Sequence, residues 1–195
     1  NAALLDATGE YISYIFVARE NMTISHVGFR AGTVANAPTV EVRIETVDAS
    51  GLPSGTLWAT DTNGTTGVIT SNTNPLQALT ASASITQGQL FCVKILWGGV
   101  ATSTINIQSL QSISGQGNGS LPYKVINTGT PTKSATSDLA LIALGSSSTA
   151  FYWVPGAMPL SGTAGGNFNN TNSAKRGLMF SVPFNARISG LRFWA

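Results

Sequence analysis

Val40-Glu41-Val42-Arg43-Ile44-Glu45 is the stretch of sequence that decides the fold. Its apolar residues alternate strictly with charged ones, so in an extended chain the two kinds of side chain point in opposite directions. A period of two predicts a strand with one buried face and one solvated, charged face. The alternating charge signs also suit pairing with residues on neighbouring strands.

The same period of two recurs along most of the chain and predicts about ten strands. In Gln89–Trp97, for example, Phe91, Val93, Ile95 and Trp97 share one face. No window has the period of an amphipathic helix, so we expect an all-β, antiparallel β-sandwich. The predicted strands are Tyr11–Val17, Met22–Arg30, Val40–Glu45, Gly55–Thr60, Leu76–Ile85, Gln89–Trp97, Ser103–Ile113, Tyr123–Ile126, Asp138–Leu144 and Ala150–Val154.

The composition excludes several classes of protein. Charged residues are 9% of the chain, against about 25% in an average soluble protein. Because 43% of the residues are hydrophobic, the chain is expected to fold rather than to be disordered. The ten basic residues are scattered, and only Lys175 and Arg176 are adjacent. Nucleic-acid binding needs a concentrated basic patch, so we expect no nucleic-acid partner.

The ends of the chain carry no targeting signal. No apolar run reaches the roughly 18 residues that a transmembrane helix needs, so we expect no membrane insertion. No signal peptide is visible. The chain begins at Asn1 and stops within the apolar pattern Leu191–Ala195. We interpret it as a fragment of a longer polypeptide.

An internal repeat is the most informative feature. Residues 14–31, YIFVARENMTISHVGFRA, align without a gap with residues 178–195, LMFSVPFNARISGLRFWA, at an offset of 164 residues. Any two β-hairpins share apolar positions, but matched Asn, Ser and Ala residues favour a true repeat. The six identities are Phe16/Phe180, Asn21/Asn185, Ile24/Ile188, Ser25/Ser189, Phe29/Phe193 and Ala31/Ala195.

The repeat predicts the domain organisation. Residues 1–162 would form the first domain, and the Gly-, Asn- and Ser-rich stretch 163–174 a linker. Residues 175–195 would be the first hairpin of a second, incomplete domain. Each repeat is interpreted as a strand, a tight turn at Asn and a second strand, with Phe16 and Phe29 pointing into the core from both arms.

The residues that usually carry catalysis are scarce. His26 is the only histidine and Cys92 the only cysteine, so no His/Cys metal site can be filled. We expect His26 to be an exposed or edge residue and Cys92 a small buried one. Glu41 and Glu45 would lie about 13 Å apart on a strand, too far for a retaining glycosidase. No catalytic residue, metal or cofactor is therefore predicted.

Two further kinds of site have candidate residues in the sequence. Asp48 and Asp61 flank a Gly-Leu-Pro-Ser-Gly turn and could bind calcium, although an Asp that hydrogen-bonds its own turn is far more common. Exposed aromatic rings stack on sugars, so Tyr152, Trp153 and Trp97 are candidate glycan-binding residues. The alternative for the aromatic residues is packing in the core or at a subunit contact.

The turn Asp48–Leu57, DASGLPSGTL, resembles a D-x-x-G-x-P-x-G-T turn in jelly-roll domains of phage structural proteins and bacterial surface proteins. The segment Phe16–Phe29 is similar to the hairpin that opens such domains. The resemblance covers about the first 100 residues. It implies a jelly-roll-like sandwich, and a role in adhesion, glycan recognition or particle assembly.

These observations lead to two hypotheses about function. The first is a non-enzymatic structural protein of a virion or extracellular surface assembly, such as a fibre, decoration or tail component. Its partners would be copies of itself or other structural subunits. The second is a carbohydrate-binding adhesion module of a secreted or cell-surface protein, whose partner would be a surface glycan. A glycoside-active enzyme is the least favoured alternative.

Overall fold

The structure is a computed structural model, and all of the residues that it describes lie within the first 152 of the chain. The chain divides into two units after residue 164, so the described residues belong to the first unit. The predicted linker 163–174 and hairpin 175–195 lie outside them, as does Trp153. The described ranges are 2–100, 102–111, 123–127, 132–133 and 138–152.

Every regular element in the described ranges is a β-strand, and all strand pairs there are antiparallel. The all-β, antiparallel prediction is confirmed, and the arrangement is consistent with a β-sandwich. The strands are β1 (Ala2–Leu5), β2 (Tyr11–Val17), β3 (Met22–Phe29), β4 (Ala31–Ala35), β5 (Val40–Val47), β6 (Pro53–Leu57), β7 (Asn63–Thr65), β8 (Leu76–Ile85), β9 (Leu90–Trp97), β10 (Thr104–Gln111), β11 (Tyr123–Asn127), β12 (Thr132–Lys133), β13 (Asp138–Ala140), β14 (Ile142–Gly145) and β15 (Phe151–Tyr152).

The larger sheet has seven strands, in the order β12-β11-β2-β9-β5-β6, with β7 also paired to β5. Four strands form a second sheet in the order β15-β14-β3-β8. A third sheet has β10 at its centre, paired with β1, β4 and β13. The second and third sheets are continuous along the chain at Arg30, the single residue between β3 and β4. Its backbone accepts a hydrogen bond from Gln108 and donates one to Leu141.

One apolar core joins the three sheets. The larger sheet contributes the inward faces of β2, β5 and β9, and the other two sheets contribute β1, β3, β8, β10 and β14. The alternation read from the sequence is confirmed on this side, because Val40, Val42 and Ile44 are completely buried. Phe16 and Phe29 are completely buried as well, as predicted.

The segment Tyr11–Phe29 is not a hairpin, which corrects the prediction. β2 pairs with β9 and β11 in the larger sheet, whereas β3 pairs with β8 and β14 in the second sheet. The turn Ala18–Asn21 therefore carries the chain from one sheet to another. We call this segment the first arch. β8 and β9 form a second arch, Leu76–Trp97, which pairs with both arms of the first.

The chain between β6 and β7 in the larger sheet is hydrogen-bonded to β8, the edge strand of the second sheet. The indole N–H of Trp58 donates to the carbonyl of Ser84 at 2.8 Å, and the N–H of Ala81 donates to the carbonyl of Asp61 at 2.7 Å. Both bonds join the chain after β6 to the long strand β8. This edge of the second sheet is therefore covered by the chain that leads from β6 to β7.

Several strand boundaries differ from the predictions. The predicted strand Asp138–Leu144 is interrupted at Leu141, and its halves β13 and β14 pair with β10 and β3 respectively. The predicted strand Gly55–Thr60 begins earlier and ends at Leu57. Four short strands, β1, β4, β7 and β12, were not predicted. They have two to five residues, too few for a period of two to be visible.

Candidate functional site

A ladder of charged side chains crosses the outer face of the larger sheet. Strand pairing sets Arg43 of β5 opposite Lys94 of β9, and Glu45 opposite Cys92. Nζ of Lys94 lies 3.2 Å from Oε1 and 3.4 Å from Oε2 of Glu45. The guanidinium of Arg43 lies 2.8 Å from Glu41 and 3.7 Å from Glu45. We call these four residues the charge ladder.

The charge ladder is not the solvated face that the alternation predicted. Glu45 has 0% of its surface exposed, and the side chain of Lys94 has 9%. The side chains of Glu41 and Arg43 are 20% and 27% exposed. The prediction of a solvated face is therefore wrong at Glu45, because alternation determines which side of a strand a residue takes but not whether that side is covered.

A small apolar cluster on the outer face of the larger sheet helps to shield the charge ladder from solvent. Tyr11, Ile15 and Cys92 are buried on this outer face, and Val47 and Leu52 pack against them. Leu96 also packs against this cluster. Leu52 belongs to the turn whose Asp48 carboxylate accepts hydrogen bonds from the N–H groups of Ser50 and Leu52, at 2.8 and 2.9 Å. The turn residue Asp48 therefore helps to hold an apolar side chain against the sheet.

The ammonium group of Lys94 has an aromatic neighbour as well as a carboxylate. Its Nζ lies 4.2 Å from the centroid of the Tyr11 ring, within the range of a cation–π interaction. Lys94 also sits opposite Ser13 of β2, which is completely buried. The ring and the carboxylate together compensate the cost of removing this cation from water.

Electrostatics in the ladder favour fixed charges over proton transfer. Burial alone would raise the pKa of Glu41, but hydrogen bonds from Arg43 and Asn63 lower it below the ordinary value. The hydrogen bond with Glu41 raises the pKa of Arg43. Burial raises the pKa of Tyr11, and the nearby Cys92 and Glu45 raise it further. Each shift stabilises the charge state that these groups already have at neutral pH.

The remaining polar candidates have structural partners. Asp48 bonds to its own turn, as the simpler alternative to a calcium site predicted. His26 is partly buried in β3, which has neighbours on both sides, so the prediction of an exposed or edge position is wrong. Its Nδ1 lies 2.8 Å from Oγ of Ser25. Within the described ranges no group of His, Cys, Asp and Glu is arranged to hold a metal ion.

Cys92 is completely buried, as predicted. Burial raises the pKa of its thiol far above the ordinary value, and the carboxylate of Glu45 raises it further. Only the thiolate is a strong nucleophile, so we expect Cys92 to be unreactive in the folded protein.

Two of the predicted glycan-binding residues, Trp97 and Tyr152, lie in the described part of the chain, and neither is exposed. Trp97 is 6% exposed and belongs to the apolar core, so its ring offers no free face for stacking. Tyr152 is half-buried against the core, and its hydroxyl bonds to both the N–H and the carbonyl of Thr23. Its neighbour Phe151 is 49% exposed. The glycan platform itself stays a prediction, because Trp153 lies outside the described residues.

A shallow, open pocket of about 290 Å³ lies between the loop after β7 and the start of β8. Its lining is uncharged and combines the apolar Val68 and Leu76 with the amides of Asn74 and Gln77. Val68 and Leu76 are exposed. Nothing in the sequence indicates this pocket, because most of its lining residues belong to an irregular loop and show no period.

The charge ladder was also missed, although the sequence contains a signal for it. Lys94 is the only charged residue in the apolar run Leu90–Trp97, and a lysine in a strand buried on both faces needs a paired carboxylate. Glu45, at the end of the alternating stretch, provides that carboxylate.

No protein-family model, curated protein or solved structure matches this chain. In the described part of the chain, no helix has the length and hydropathy that a membrane crossing takes.

Proposed function

We propose that this chain is a non-enzymatic structural or assembly protein of a virion or extracellular surface assembly, such as a fibre, decoration or tail component. The observation that carries the proposal is the use made of its few reactive side chains. Glu41, Arg43, Glu45 and Lys94 neutralise one another, and Cys92 is buried. These five side chains are engaged within strands that are covered on both faces, and none of them is presented to a substrate.

The proposed architecture is a jelly roll. The two arches support it, because the first arch pairs with the second so that β2 meets β9 in one sheet and β3 meets β8 in another. A jelly roll wraps eight strands into two sheets as two Greek keys. In such a fold, two chain segments that each cross between the sheets pair with one another in both sheets, as the two arches do. The larger sheet continues from β9 through β5 to β7, and these further pairs are antiparallel as well.

The experiment for an assembly role is to measure the mass of the purified chain in solution as a function of concentration, and to image it by electron microscopy. A discrete oligomer or filament is expected, with interfaces that bury more than about 1,000 Å². With only 9% charged residues, its contacts are expected to be mainly uncharged, so the assembly should persist in about 1 M salt. A monomer at every concentration and salt would contradict the proposal.

A second candidate function, carbohydrate binding in an adhesion module, is favoured by the exposed ring of Phe151. It lies on the short strand β15, beside Tyr152 and next but one in sequence to Trp153. Binding to a glycan array that is lost in both Phe151→Ala and Trp153→Ala would support this function. The control is Leu90→Ala, which removes an exposed side chain on another strand and should leave binding unchanged.

A further inference from the structure

Strand β1 lies at the edge of the third sheet, and in the described part of the chain no strand pairs with its outer edge. On its inner side β1 pairs with β10 in an unbroken antiparallel register, and β4 occupies the opposite side of β10. The N–H and C=O groups along an open edge can accept a further strand. The third sheet can therefore be extended at β1.

The other edge strands of at least this length in the described ranges are protected against such pairing. β6 begins at Pro53, contains Gly55 at a φ of 79° and shifts register against β5. β8 is covered by the chain that leads from β6 to β7. β4 is bonded to the loop after β7, where the N–H of Asn72 donates to the carbonyl of Gly32 at 2.8 Å. Proteins protect in these ways the edges that must not pair.

β1 has none of these protections. Its sequence, AALL, contains no charged residue, proline or glycine. Ala3 and Leu5 point into the core, whereas the side chain of Leu4 is 47% exposed on the outer face. Its cross-strand neighbour on β10 is the uncharged Asn106. This edge therefore offers a charged partner no ion pair, and it suits a strand that is itself apolar.

We propose that β1 pairs antiparallel with β1 of a second copy of this chain, so that the third sheets of two molecules become continuous. The inference rests on the proposed assembly function and names a contact through which the chain assembles. A second copy fits this edge because two identical antiparallel strands are related by a two-fold axis, which places each unpaired donor of one strand opposite an acceptor of the other.

The alternation within β1 determines the register of this pair. Directly opposite residues lie on the same face of a sheet, so Ala3 and Leu5 must pair with core-facing residues and Leu4 with an outward-facing one. Of the registers that obey this rule, the one centred on Leu4 brings the two exposed leucines together and buries the most apolar surface. It also keeps the two Asp6 positions about 13 Å apart along the strands, beyond the range of strong repulsion.

The first test places like charges at the contact. Leu4→Lys sets two ammonium groups opposite each other, so self-association measured by analytical ultracentrifugation should weaken about tenfold. Because β1 is short, concentrations up to about 1 mM are needed to measure a weak contact. Mixing Leu4→Lys with Leu4→Asp should restore the association at low salt. The matched control is Leu90→Lys, since Leu90 is 46% exposed in the larger sheet, and it should associate as the parent does.

The second test uses a smaller substitution and reads the register directly. Leu4→Cys in a Cys92→Ala background should form disulfide-linked dimers under mild oxidation, because opposite Cα atoms of antiparallel strands lie about 4.5–5.5 Å apart, within the range of a disulfide. Leu90→Cys in the same background is the control, because collisions alone bring its thiols together. We expect cross-linking at position 4 to be at least about tenfold faster.

Equal cross-linking rates at positions 4 and 90 overturn the proposal, and so does a folded Leu4→Lys that associates as strongly as Leu90→Lys. Resistance of Cys92 to thiol reagents shows that the lysine variants are folded. If Leu4→Lys fails this check, the cross-linking rates alone decide. An oligomer that passes neither test keeps its assembly role but loses β1 as the contact, whereas a parent that is a monomer at every concentration contradicts the assembly role itself.

Discussion

The central strands β2, β5 and β9 of the larger sheet are covered on both faces, but different forces hold the two faces. The inner face consists of aliphatic and aromatic side chains, such as Phe16 and Phe91, whose ring centroids lie 5.7 Å apart. The outer face combines a small apolar cluster with the charge ladder. Packing volume determines stability on the inner face, whereas on the outer face it depends on every charge having a partner.

The largest effect is expected on the inner face. Phe16→Ala removes a completely buried ring and leaves a cavity, so the free energy of unfolding should fall by about 4 kcal/mol. Urea denaturation at constant m-value measures the change. The matched control is Phe151→Ala, whose ring is half exposed and whose loss should cost less than about 1 kcal/mol. Equal losses would remove the distinction between core and surface.

Breaking the charge ladder should have the next largest effect. Glu45→Gln leaves Lys94 buried without its carboxylate, so we expect a loss of about 3 kcal/mol. The double variant Glu45→Leu with Lys94→Met removes both charges, and it should recover most of that loss. A loss below about 0.5 kcal/mol in Glu45→Gln would mean that water reaches the ladder and that only the inner face is buried.

A smaller effect is expected from protonating Glu41. Its folded pKa lies below the unfolded value, because hydrogen bonds from Arg43 and Asn63 outweigh burial. The unfolded state then binds the proton more readily, so this stabilisation is present above the unfolded pKa and is lost as pH falls through the folded one. Below about pH 4.3 the parent loses this stabilisation, whereas Glu41→Gln has no carboxylate to protonate. The difference in free energy of unfolding between the parent and Glu41→Gln should therefore be about 0.5 kcal/mol smaller there than at pH 7. A difference that is constant between pH 7 and pH 2 would contradict this.

The last prediction concerns access rather than stability. In the native protein Cys92 should resist thiol reagents, since burial prevents access and raises the pKa of its thiol. Leu90→Cys in a Cys92→Ala background provides the control, because residue 90 is exposed on the same strand. That thiol should react at the rate of a free cysteine. Rapid labelling of native Cys92 would show that the outer face opens.

The inner face could be predicted from the sequence, and the outer face could not. Alternation placed Phe91, Val93 and Ile95 on one side of β9, and all three are completely buried. The same alternation put Glu45 on the opposite side, but its burial depends on cover from the separate turn that carries Leu52. Periodicity is a local property, whereas cover is decided by distant parts of the chain.

The pairing of strands could not be predicted from the sequence for the same reason. The turn Ala18–Asn21 has the length of a hairpin turn, and nothing local distinguishes it from a connection between sheets. The break at Leu141 was missed because Leu139–Leu144 is a continuous apolar run without a turn residue. For the candidate site, the period of two placed Trp97 on the inward face of β9, and Trp97 is buried there. The glycan-binding role of the aromatic residues stays a prediction.

The long-range pairing of the first arch has a consequence for synthesis on the ribosome. β2 ends at Val17, but its partner β9 is complete only at Trp97, 80 residues later. At a translation rate of about 5–20 residues per second, the finished strand waits roughly 4–16 s for that partner. During this interval its apolar side chains and open backbone edge are available to other nascent chains, so expression yield is expected to depend on chaperones that hold this segment as it emerges.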